Sequence, residues 1–207
     1  KLVQSRIKSM KVSLIAIDEA HCISQWGHDF RPAYRNIKIL RILCPETAVI
    51  ALTATATKHV IKDISEQLDF LNYKVFKSSF FRSNLSYNSM ALEDPQYKAI
   101  SILKKIKSSA IVYVRSRIET EQLAKTLELE GISCGYYHGG MSFKKKELMY
   151  SNWINNKFSV MIATNAFGMG IDKSNVEVVI HLTIPESLEA YFQESGRAGR
   201  NGDKAFA

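Results

Sequence analysis

Two adjacent acidic residues, Asp18 and Glu19, stand directly after a short apolar run and have the types and spacing for catalysis. The run, residues 12–17, is rich in branched side chains and predicts a buried strand of a parallel sheet. Ligands of such sheets bind at the carboxyl ends of the strands. One carboxylate placed there can hold Mg²⁺ with its water shell while the other orients or deprotonates a water. An acidic N-cap that opens a helix is the alternative.

A segment that mixes aromatic and basic side chains follows the acids. Trp26 and Phe30 alternate there with His28 and Arg31, within residues 24–35. Aromatic rings stack on bases for roughly 1–3 kcal/mol each, and arginines contact phosphates or stack as cations. On composition alone we favour the packing of Trp26 and Phe30 into the core. Binding to a single-stranded nucleic acid is the second interpretation.

Two further motifs lie near the end of the sequence. Thr164 ends a predicted strand, and Gly168 and Gly170 follow it without a Cβ, so that backbone amides can approach a phosphate or a ribose. Arg197 and Arg200 are three positions apart, so both can point to one side and suit a triphosphate. An ordinary glycine-containing turn and a generic basic tail are the alternatives.

The elements that must position these residues follow from the hydrophobic pattern. Strands alternate with helices of ~10–15 residues, which predicts a doubly wound α/β sheet. The predicted strands are residues 12–17, 48–52, 110–114, a short one that reaches 137, 160–163 and 176–180. The expected helix N-caps are Thr57, Ser142 and Ser187, and Gly131 is expected just after a helix. We place the domains at residues 1–80 and 97–207, with 81–96 as a linker and entry segment to the second domain.

Composition narrows the partners. The chain has 207 residues, which allows one large or two small domains, and 28 Lys and Arg against 20 Asp and Glu give a net charge of +8. This basic excess favours a polyanionic partner. The wide spacing of Cys22, Cys44 and Cys134 argues against a zinc site or a disulfide framework and for a reducing compartment. No apolar run reaches the ~18 residues of a membrane span, so we expect no membrane partner.

The ordered motifs resemble those of RecQ-family DNA helicases of superfamily 2. The Asp-Glu-Ala-His sequence at 18–21 is similar to the family's DEAH box. Residues 22–32, which include most of the aromatic segment, are similar to the family's aromatic-rich loop. The match continues through residues 52–57, 163–172 and 193–200 in the family's order, and covers nearly the whole chain. The resemblance implies two RecA-like α/β domains with parallel sheets and an ATP site between them.

The resemblance also implies roles in ATP hydrolysis. Asp18 would coordinate Mg²⁺, Glu19 would position the attacking water, and His21 would link the nucleotide site to the neighbouring loop unless it is only a structural histidine. The implied catalytic residues are Asp18, Glu19, His21, Arg197 and Arg200, with Arg200 as the arginine finger. The implied nucleotide-binding residues are Asp18, Gly170, Asp172, Gln193, Arg197 and Arg200.

DNA contacts are carried over in the same way. The implied nucleic-acid-binding residues are Ser24, Gln25, Trp26, His28, Phe30, Arg31, Arg115, Ser116, Arg117, His138 and Thr164. Many family members have Asn where this chain has Arg115, so that contact is expected to differ. Thr53 and Thr55 would couple DNA binding to hydrolysis, although threonine is also simply a good β-strand residue.

The implied function is part of the motor core of an ATP-dependent 3′–5′ DNA helicase that acts on single-stranded and duplex DNA in repair and recombination. An RNA helicase and a catalytically inactive nucleic-acid-binding module are the alternatives. We expect an intracellular location, cytoplasmic in a bacterium and nuclear in a eukaryote.

One family motif does not occur in this sequence, namely the phosphate-binding loop Gly-x-x-x-x-Gly-Lys-Ser/Thr. We therefore expect a first domain truncated at its N-terminus and a chain that does not hydrolyse ATP alone. The family's zinc-binding and winged-helix regions are likewise expected to lie outside it. Exposed sheet edges of the truncated domain would favour oligomers.

Overall fold

The computed structural model describes residues 2–27, 29–168 and 171–207. The chain divides into two compact units, Lys1–Ser78 and Ser79–Ala207. His28 and Gly170, which we predicted to contact DNA and nucleotide, lie outside the described residues. Among the described helices, none has both the length and the apolar character that crossing a membrane requires.

The first unit contains two parallel strands surrounded by short helices. Its elements are α1 (Leu2–Ser9), β1 (Leu14–Ile17), 3₁₀ helices at Ala20–Ile23 and Pro32–Lys38, α2 (Ile39–Leu43), β2 (Ala48–Ala51) and α3 (Lys58–Gln67). The ladder between β1 and β2 runs in register from Leu14 opposite Ala48 to Ile17 opposite Ala51. The predicted parallel pairing is therefore present.

The burial of these strands differs from the prediction of fully buried strands. Ile15 and Ile17 are buried, whereas Leu14 on the other face of β1 is 57% exposed. Within the described part of this unit the sheet has two strands, and one face packs on a core shared with α3 and the first 3₁₀ helix. A strand covered on one face alternates between buried and exposed side chains.

Helix α3 begins and packs as its sequence predicts. The hydroxyl of Thr57 accepts a hydrogen bond from the backbone N–H of Val60, which is the N-cap geometry. Val60, Ile64 and Leu68 lie on one face and are buried against the strands.

The second unit is a doubly wound sheet of six parallel strands. Its elements are β3 (Leu85–Ser86), α4 (Pro95–Leu103), β4 (Ser109–Tyr113), α5 (Arg117–Leu129), β5 (Cys134–Tyr137), α6 (Phe143–Ile154), β6 (Val160–Ala163), β7 (Val176–His181), α7 (Leu188–Ser195) and β8 (Ala205–Phe206). The strand order is β3-β8-β7-β4-β6-β5, and every pair is parallel.

A hydrophobic core covers each face of this sheet. Ile111 and Tyr113 of β4 enter one core, and Ala110 and Val112 enter the other, as the two-residue period of a strand requires. The predicted caps are also found here. Ser142 and Ser187 cap α6 and α7, and Gly131 takes a φ of 76° after α5.

The segment 81–96, predicted as a linker and entry segment, lies within the second unit. Leu85 is buried, and β3 pairs with β8. Arg82 donates to the carbonyl of Gly196, and the side-chain amide of Asn84 donates to the carbonyl of Gly199 at 2.8 Å. The polar side chains whose presence indicated a linker therefore donate hydrogen bonds to carbonyl groups more than 100 residues away along the chain.

Candidate functional site

The acidic pair lies at the carboxyl end of β1, where the sequence places it. The ladder continues one step beyond β2, because the N–H of Leu52 donates to Ile17 and the N–H of Ala20 donates to Leu52. Asp18 is exposed, and its Oδ1 accepts from the N–H of Glu19 at 2.9 Å. Glu19 precedes the first 3₁₀ helix, but its side chain makes no capping hydrogen bond. The alternative of an acidic N-cap is therefore wrong for Glu19.

Glu19 has a left-handed backbone conformation, with φ 48° and ψ 43°. This conformation costs roughly 1–2 kcal/mol for a residue with a Cβ, and such residues cluster at functional sites. Its carboxylate Oε2 lies 3.2 Å from Nδ1 of His21. The residue with the strained backbone, Glu19, is therefore also the one whose carboxylate faces His21.

His21 joins the acidic pair to the turn after β2. Its side chain is buried, and Nδ1 lies 3.0 Å from Oγ1 of Thr53 as well as 3.2 Å from Glu19. The N–H of Thr55 donates to the same Thr53 hydroxyl at 3.3 Å. A single imidazole nitrogen therefore contacts both a predicted catalytic acid and a predicted coupling residue.

The other side of His21 faces a network that the sequence reasoning missed. Sγ of the buried Cys22 lies 3.7 Å from His21 Nε2 and donates to Oδ2 of Asp29 at 3.9 Å. Arg31 donates to the same Oδ2 from Nε at 3.1 Å and from Nη2 at 2.6 Å. Burial, and next the charge of Asp29, raises the pKa of the Cys22 thiol to about 11. The hydrogen bond to Asp29 raises the pKa of Arg31.

The aromatic segment presents one large ring to solvent. Trp26 is 76% exposed, so packing of this ring in the core is excluded. Gln25 is also exposed, and Phe30 is half-buried with the guanidinium of Arg35 5.0 Å from its ring centre. Ser24, which we predicted to contact DNA, is buried, and its hydroxyl donates to Asp63 at 2.6 Å. A DNA contact through that hydroxyl does not fit its position.

In the second unit, the turn from β4 to α5 carries three predicted DNA contacts. Arg115 and Arg117 are exposed, whereas the hydroxyl of Ser116 is the N-cap of α5 and accepts from the N–H of Glu119. Arg117 lies over the glycine turn after β5, since a Cβ on Gly140 would be 3.0 Å from its Nη1. The two arginines are therefore the available contacts of this turn.

His138 does not lie where a DNA contact requires. Its side chain is buried, Nε2 lies 3.1 Å from Oε1 of Glu121, and Nδ1 accepts from the N–H of Gly140 at 3.2 Å. An imidazole whose Nδ1 accepts is neutral with its proton on Nε2, which then donates to Glu121. Both nitrogens are used within the unit, so a direct DNA contact by His138 does not fit its position. The residue holds the glycine turn instead.

The loop after β6 contains Thr164 and Asp172. Thr164 is buried, and its hydroxyl accepts from the N–H of Ala166, so this hydroxyl shapes the loop and does not fit the predicted DNA contact. Asp172 is exposed and pairs with Arg200 at 3.1 Å. Arg200 also donates to the carbonyl of Ile171 at 2.8 Å. The predicted finger arginine therefore rests on the predicted nucleotide loop.

Arg197 and Gln193 have different surroundings from Arg200. Arg197 is 4% exposed and lies close enough for its charge to act on Tyr113, whose hydroxyl donates to the carbonyl of Phe167 at 2.9 Å. Burial raises the pKa of Tyr113, and the charge of Arg197 opposes that rise. Gln193 is half-buried on α7. The nucleotide roles of Arg197 and Gln193 stay predictions.

Comparison with known proteins decides the family. Residues 95–202 match the helicase conserved C-terminal domain. The chain belongs to this helicase family. Residues 1–64 also match the DEAD/DEAH box helicase family. The helicase chain is therefore related to both halves of a two-domain motor, and the predicted resemblance to RecQ helicases is confirmed by the relatives described next.

The relatives of this helicase chain include RecQ proteins. It is 43% identical over 198 residues to the ATP-dependent DNA helicase RecQ of Bacillus subtilis, covering 95% of this chain and 34% of that protein. It is 44% identical over 197 residues to a putative ATP-dependent RNA helicase of Acanthamoeba polyphaga mimivirus, covering 94% and 36%. The chain thus spans about a third of the length of these relatives.

A solved structure supports the fold of the helicase chain. Saccharomyces cerevisiae Dbp5 bound to RNA and ADP BeF3 aligns with a TM-score of 0.76 at 21% identity, over 100% of this chain and 56% of that one. The predicted fold class, RecA-like α/β with parallel sheets, is confirmed.

A buried lysine of the helicase chain also escaped the sequence reasoning. Nζ of Lys173 donates to the carbonyls of Trp153 and Ile154, at 2.9 and 3.2 Å, and to Oδ1 of Asn156 at 2.7 Å. These acceptors lie at the end of α6, where a cation is favoured. Burial lowers the pKa of Lys173. In the sequence, only the position of Lys173 directly after Asp172 indicated that this lysine could matter. Its ammonium group connects the predicted nucleotide loop to α6.

Proposed function

We propose that this chain is part of the motor core of an ATP-dependent DNA helicase that moves 3′ to 5′ along single-stranded DNA and separates duplexes. The observation that carries the proposal is the contact of His21 with both Glu19 and Thr53 at the carboxyl end of β1. In a motor, hydrolysis must respond to the state of a second site. A buried side chain between the catalytic acid and the next strand supplies such a connection.

The side chains in the first unit fit a magnesium nucleotide. Asp18 is exposed and offers carboxylate oxygen, which is the ligand type that Mg²⁺ prefers. Glu19 would orient the attacking water, since phosphoryl transfer depends on positioning and charge neutralisation. In the second unit, Arg200 is exposed, and we propose it as the arginine finger that the family resemblance implies. When bound, ATP would supply the transferred phosphoryl group, and Mg²⁺ would neutralise part of its charge.

We infer that Trp26 is the main base-stacking residue of the first unit. An exposed indole gains stacking energy from any base and gives up little packing when it binds. Arg31 and Arg35 add positive charge beside it, although Arg31 is also held by Asp29. Exposed Arg115 and Arg117 would contact the phosphate backbone from the second unit.

An RNA helicase is the second candidate, because the mimivirus relative carries that name at 44% identity. We favour DNA since the aromatic segment resembles that of RecQ proteins. We also place the protein inside the cell, in a reducing compartment, which agrees with the three free cysteines. Self-association through the edges of the β1–β2 sheet is a further proposal.

Nucleic-acid binding is the first test. Fluorescence anisotropy of labelled single-stranded DNA and of RNA with the same sequence, over a salt series, gives both preference and phosphate contacts. We expect DNA to bind more tightly, and Trp26→Ala to lose roughly 1–3 kcal/mol of binding free energy. Phe76→Ala is the matched control, because Phe76 is 90% exposed in the same unit and lies outside the aromatic segment. Equal losses in both variants would refute the role of Trp26, and tighter RNA binding would favour the second candidate.

Hydrolysis is the second test. ATP turnover by the 207-residue chain is measured with and without single-stranded DNA, beside Glu19→Gln. Turnover that DNA stimulates and Glu19→Gln abolishes supports the catalytic role. Turnover that survives Glu19→Gln contradicts it. DNA binding without any turnover is the result that we expect, because the phosphate-binding loop does not occur in this sequence.

A further inference from the structure

Three potential metal ligands meet beneath the aromatic segment. The nitrogen, sulfur and oxygen atoms of His21, Cys22 and Asp29 all lie within 4.8 Å of one another. Cys22 is completely buried and His21 nearly so, while Asp29 is half-buried. The proposed function assigns no role to Cys22 or Asp29. Both lie near Nε2 of His21, on the opposite side of the imidazole from Glu19.

The spacing of these atoms suits a tetrahedral metal ion. With Zn–S near 2.3 Å and Zn–N or Zn–O near 2.0–2.1 Å, a tetrahedron has edges of about 3.4–3.6 Å. Sγ of Cys22 lies 3.7 Å from Nε2 of His21 and 3.9 Å from Oδ2 of Asp29. The two separations that involve the sulfur therefore exceed the tetrahedral edge by only a few tenths of an ångström, and the third, between His21 and Asp29, is within 4.8 Å.

The surroundings of the cluster match those of metal ligands in proteins. A ligating histidine usually has its other ring nitrogen against a carboxylate or another hydrogen-bonding group, and ligating carboxylates are themselves hydrogen-bonded. Here Nδ1 of His21 faces Glu19 and Thr53. Oδ2 of Asp29 accepts from Nε and Nη2 of Arg31, which is the hydrogen-bonded state usual for a ligating carboxylate.

We propose that His21, Cys22 and Asp29 form a site for a thiophilic divalent metal ion of the Zn²⁺ class, with a water as the fourth ligand. A sulfur–nitrogen–oxygen set selects zinc or cobalt over magnesium. The thiol releases its proton to solvent when its sulfur binds the ion. The site goes beyond the proposed function and is separate from the magnesium position at Asp18. It differs from the prediction of no zinc site, because cysteine spacing reveals sites with several cysteines and not a mixed site with one.

Occupation of this site would act on the connection that His21 makes. The ion would fix the imidazole through Nε2 and would replace the hydrogen bond from Cys22 to Asp29. Glu19, which contacts the same imidazole, would then face a ring whose Nε2 is bound to the ion. The metal would therefore regulate the acidic pair without touching it.

The experiment is a titration of the reduced 207-residue chain with Co²⁺, followed by absorption, in the absence of nucleotide and DNA. We expect a thiolate-to-cobalt charge-transfer band with the visible bands of tetrahedral cobalt, and competition by Zn²⁺. Cys22→Ser should abolish the charge-transfer band, and Asp29→Asn should weaken Co²⁺ binding roughly 10-fold or more. Cys44→Ser is the matched control, since Cys44 is another buried cysteine of the same unit and should leave the spectrum unchanged.

Three outcomes would overturn the proposal. The first is no thiolate band in the unaltered chain, and the second is a band that Cys44→Ser or Cys134→Ser removes. The third is an unchanged affinity in Asp29→Asn, which decides the question even where Cys22→Ser fails to fold. All readouts are spectroscopic, so a failure here is distinct from a failure of the helicase proposal.

Discussion

Nδ1 of His21 lies 3.0 Å from Oγ1 of Thr53, and this contact joins the end of β1 to the turn after β2. Both residues follow strands of the same small sheet, and 32 positions separate them in the chain. The hydroxyl of Thr53 also accepts from the N–H of Thr55. Because the imidazole in turn contacts Glu19, a change at Thr53 should alter both the stability of the first unit and the acidic pair.

Replacement of Thr53 by Val tests this contact. We expect Thr53→Val to lower the free energy of unfolding of the first unit by about 1 kcal/mol, because a part-buried hydrogen bond is lost at constant shape. Thr53→Ser keeps the hydroxyl and should stay close to the unaltered chain. Urea unfolding of the three proteins is the measurement. A Thr53→Val protein as stable as the unaltered chain, beside a destabilised Thr53→Ser protein, would show that the methyl group matters and the hydroxyl does not.

Two glycines near the end of the chain form a second matched pair. Gly199 and Gly202 both have positive φ, 63° and 89°. A Cβ on Gly199 would lie 2.6 Å from Nδ2 of Asn84 and 2.8 Å from Cβ of Ala205, whereas nothing lies within 4 Å of one on Gly202.

We expect Gly202→Ala to cost roughly 1–2 kcal/mol from the left-handed backbone alone. Gly199→Ala should cost clearly more, since it also displaces Asn84 and the β3–β8 pairing. Thermal unfolding of the second unit measures both. Similar costs would mean that the crowding at Gly199 relaxes freely.

Cys22 predicts a pH dependence of stability. Its thiol pKa is raised from the ordinary 9.0 to about 11, and burial is the main cause. The negative charges of Asp29 and Glu19 also raise this pKa, whereas the positive charge of Arg31 lowers it. Between these two values the unfolded chain loses the proton and the folded chain keeps it. The folded state therefore loses stability as the pH rises from 9.0 to about 11.

Cys22→Ala should remove this part of the alkaline loss, although the variant is less stable overall because it leaves a small cavity. Urea midpoints at several pH values compare the slopes of the two proteins. Cys44→Ala serves as the control, and parallel slopes for Cys22→Ala and the unaltered chain would contradict the raised pKa.

Lys173 supplies the last prediction. Lys173→Met removes a buried ammonium that donates to the carbonyls of Trp153 and Ile154, and should lower the free energy of unfolding of the second unit by roughly 1–3 kcal/mol. Lys157→Met changes an exposed lysine nearby and should have little effect. Denaturant unfolding of both variants is the check. A Lys173→Met protein as stable as Lys157→Met would show that burial of the charge cancels its hydrogen bonds.

Local rules predicted what depends on local sequence. The cap at Thr57, the glycine after α5 and the position of Asp18 at a strand end follow from residue types a few positions apart. The burial of Ser24 did not, because its partner Asp63 is 39 positions away. The contact of His138 with Glu121 could not be predicted from local sequence either, because it requires β5 and α5 to pack together. A motif identifies a side chain of the right chemistry, whereas packing decides whether that side chain faces solvent.

The left-handed backbone at Glu19 has a consequence for variants of this protein. Glycine would adopt φ 48° without the steric cost that a Cβ brings, and asparagine would pay less of it than glutamate. A selection for thermal stability alone would therefore be drawn to position 19 and would discard the carboxylate there. The backbone at position 19 favours glycine, whereas the proposed hydrolysis requires glutamate, so we expect stability and activity to favour different residues there.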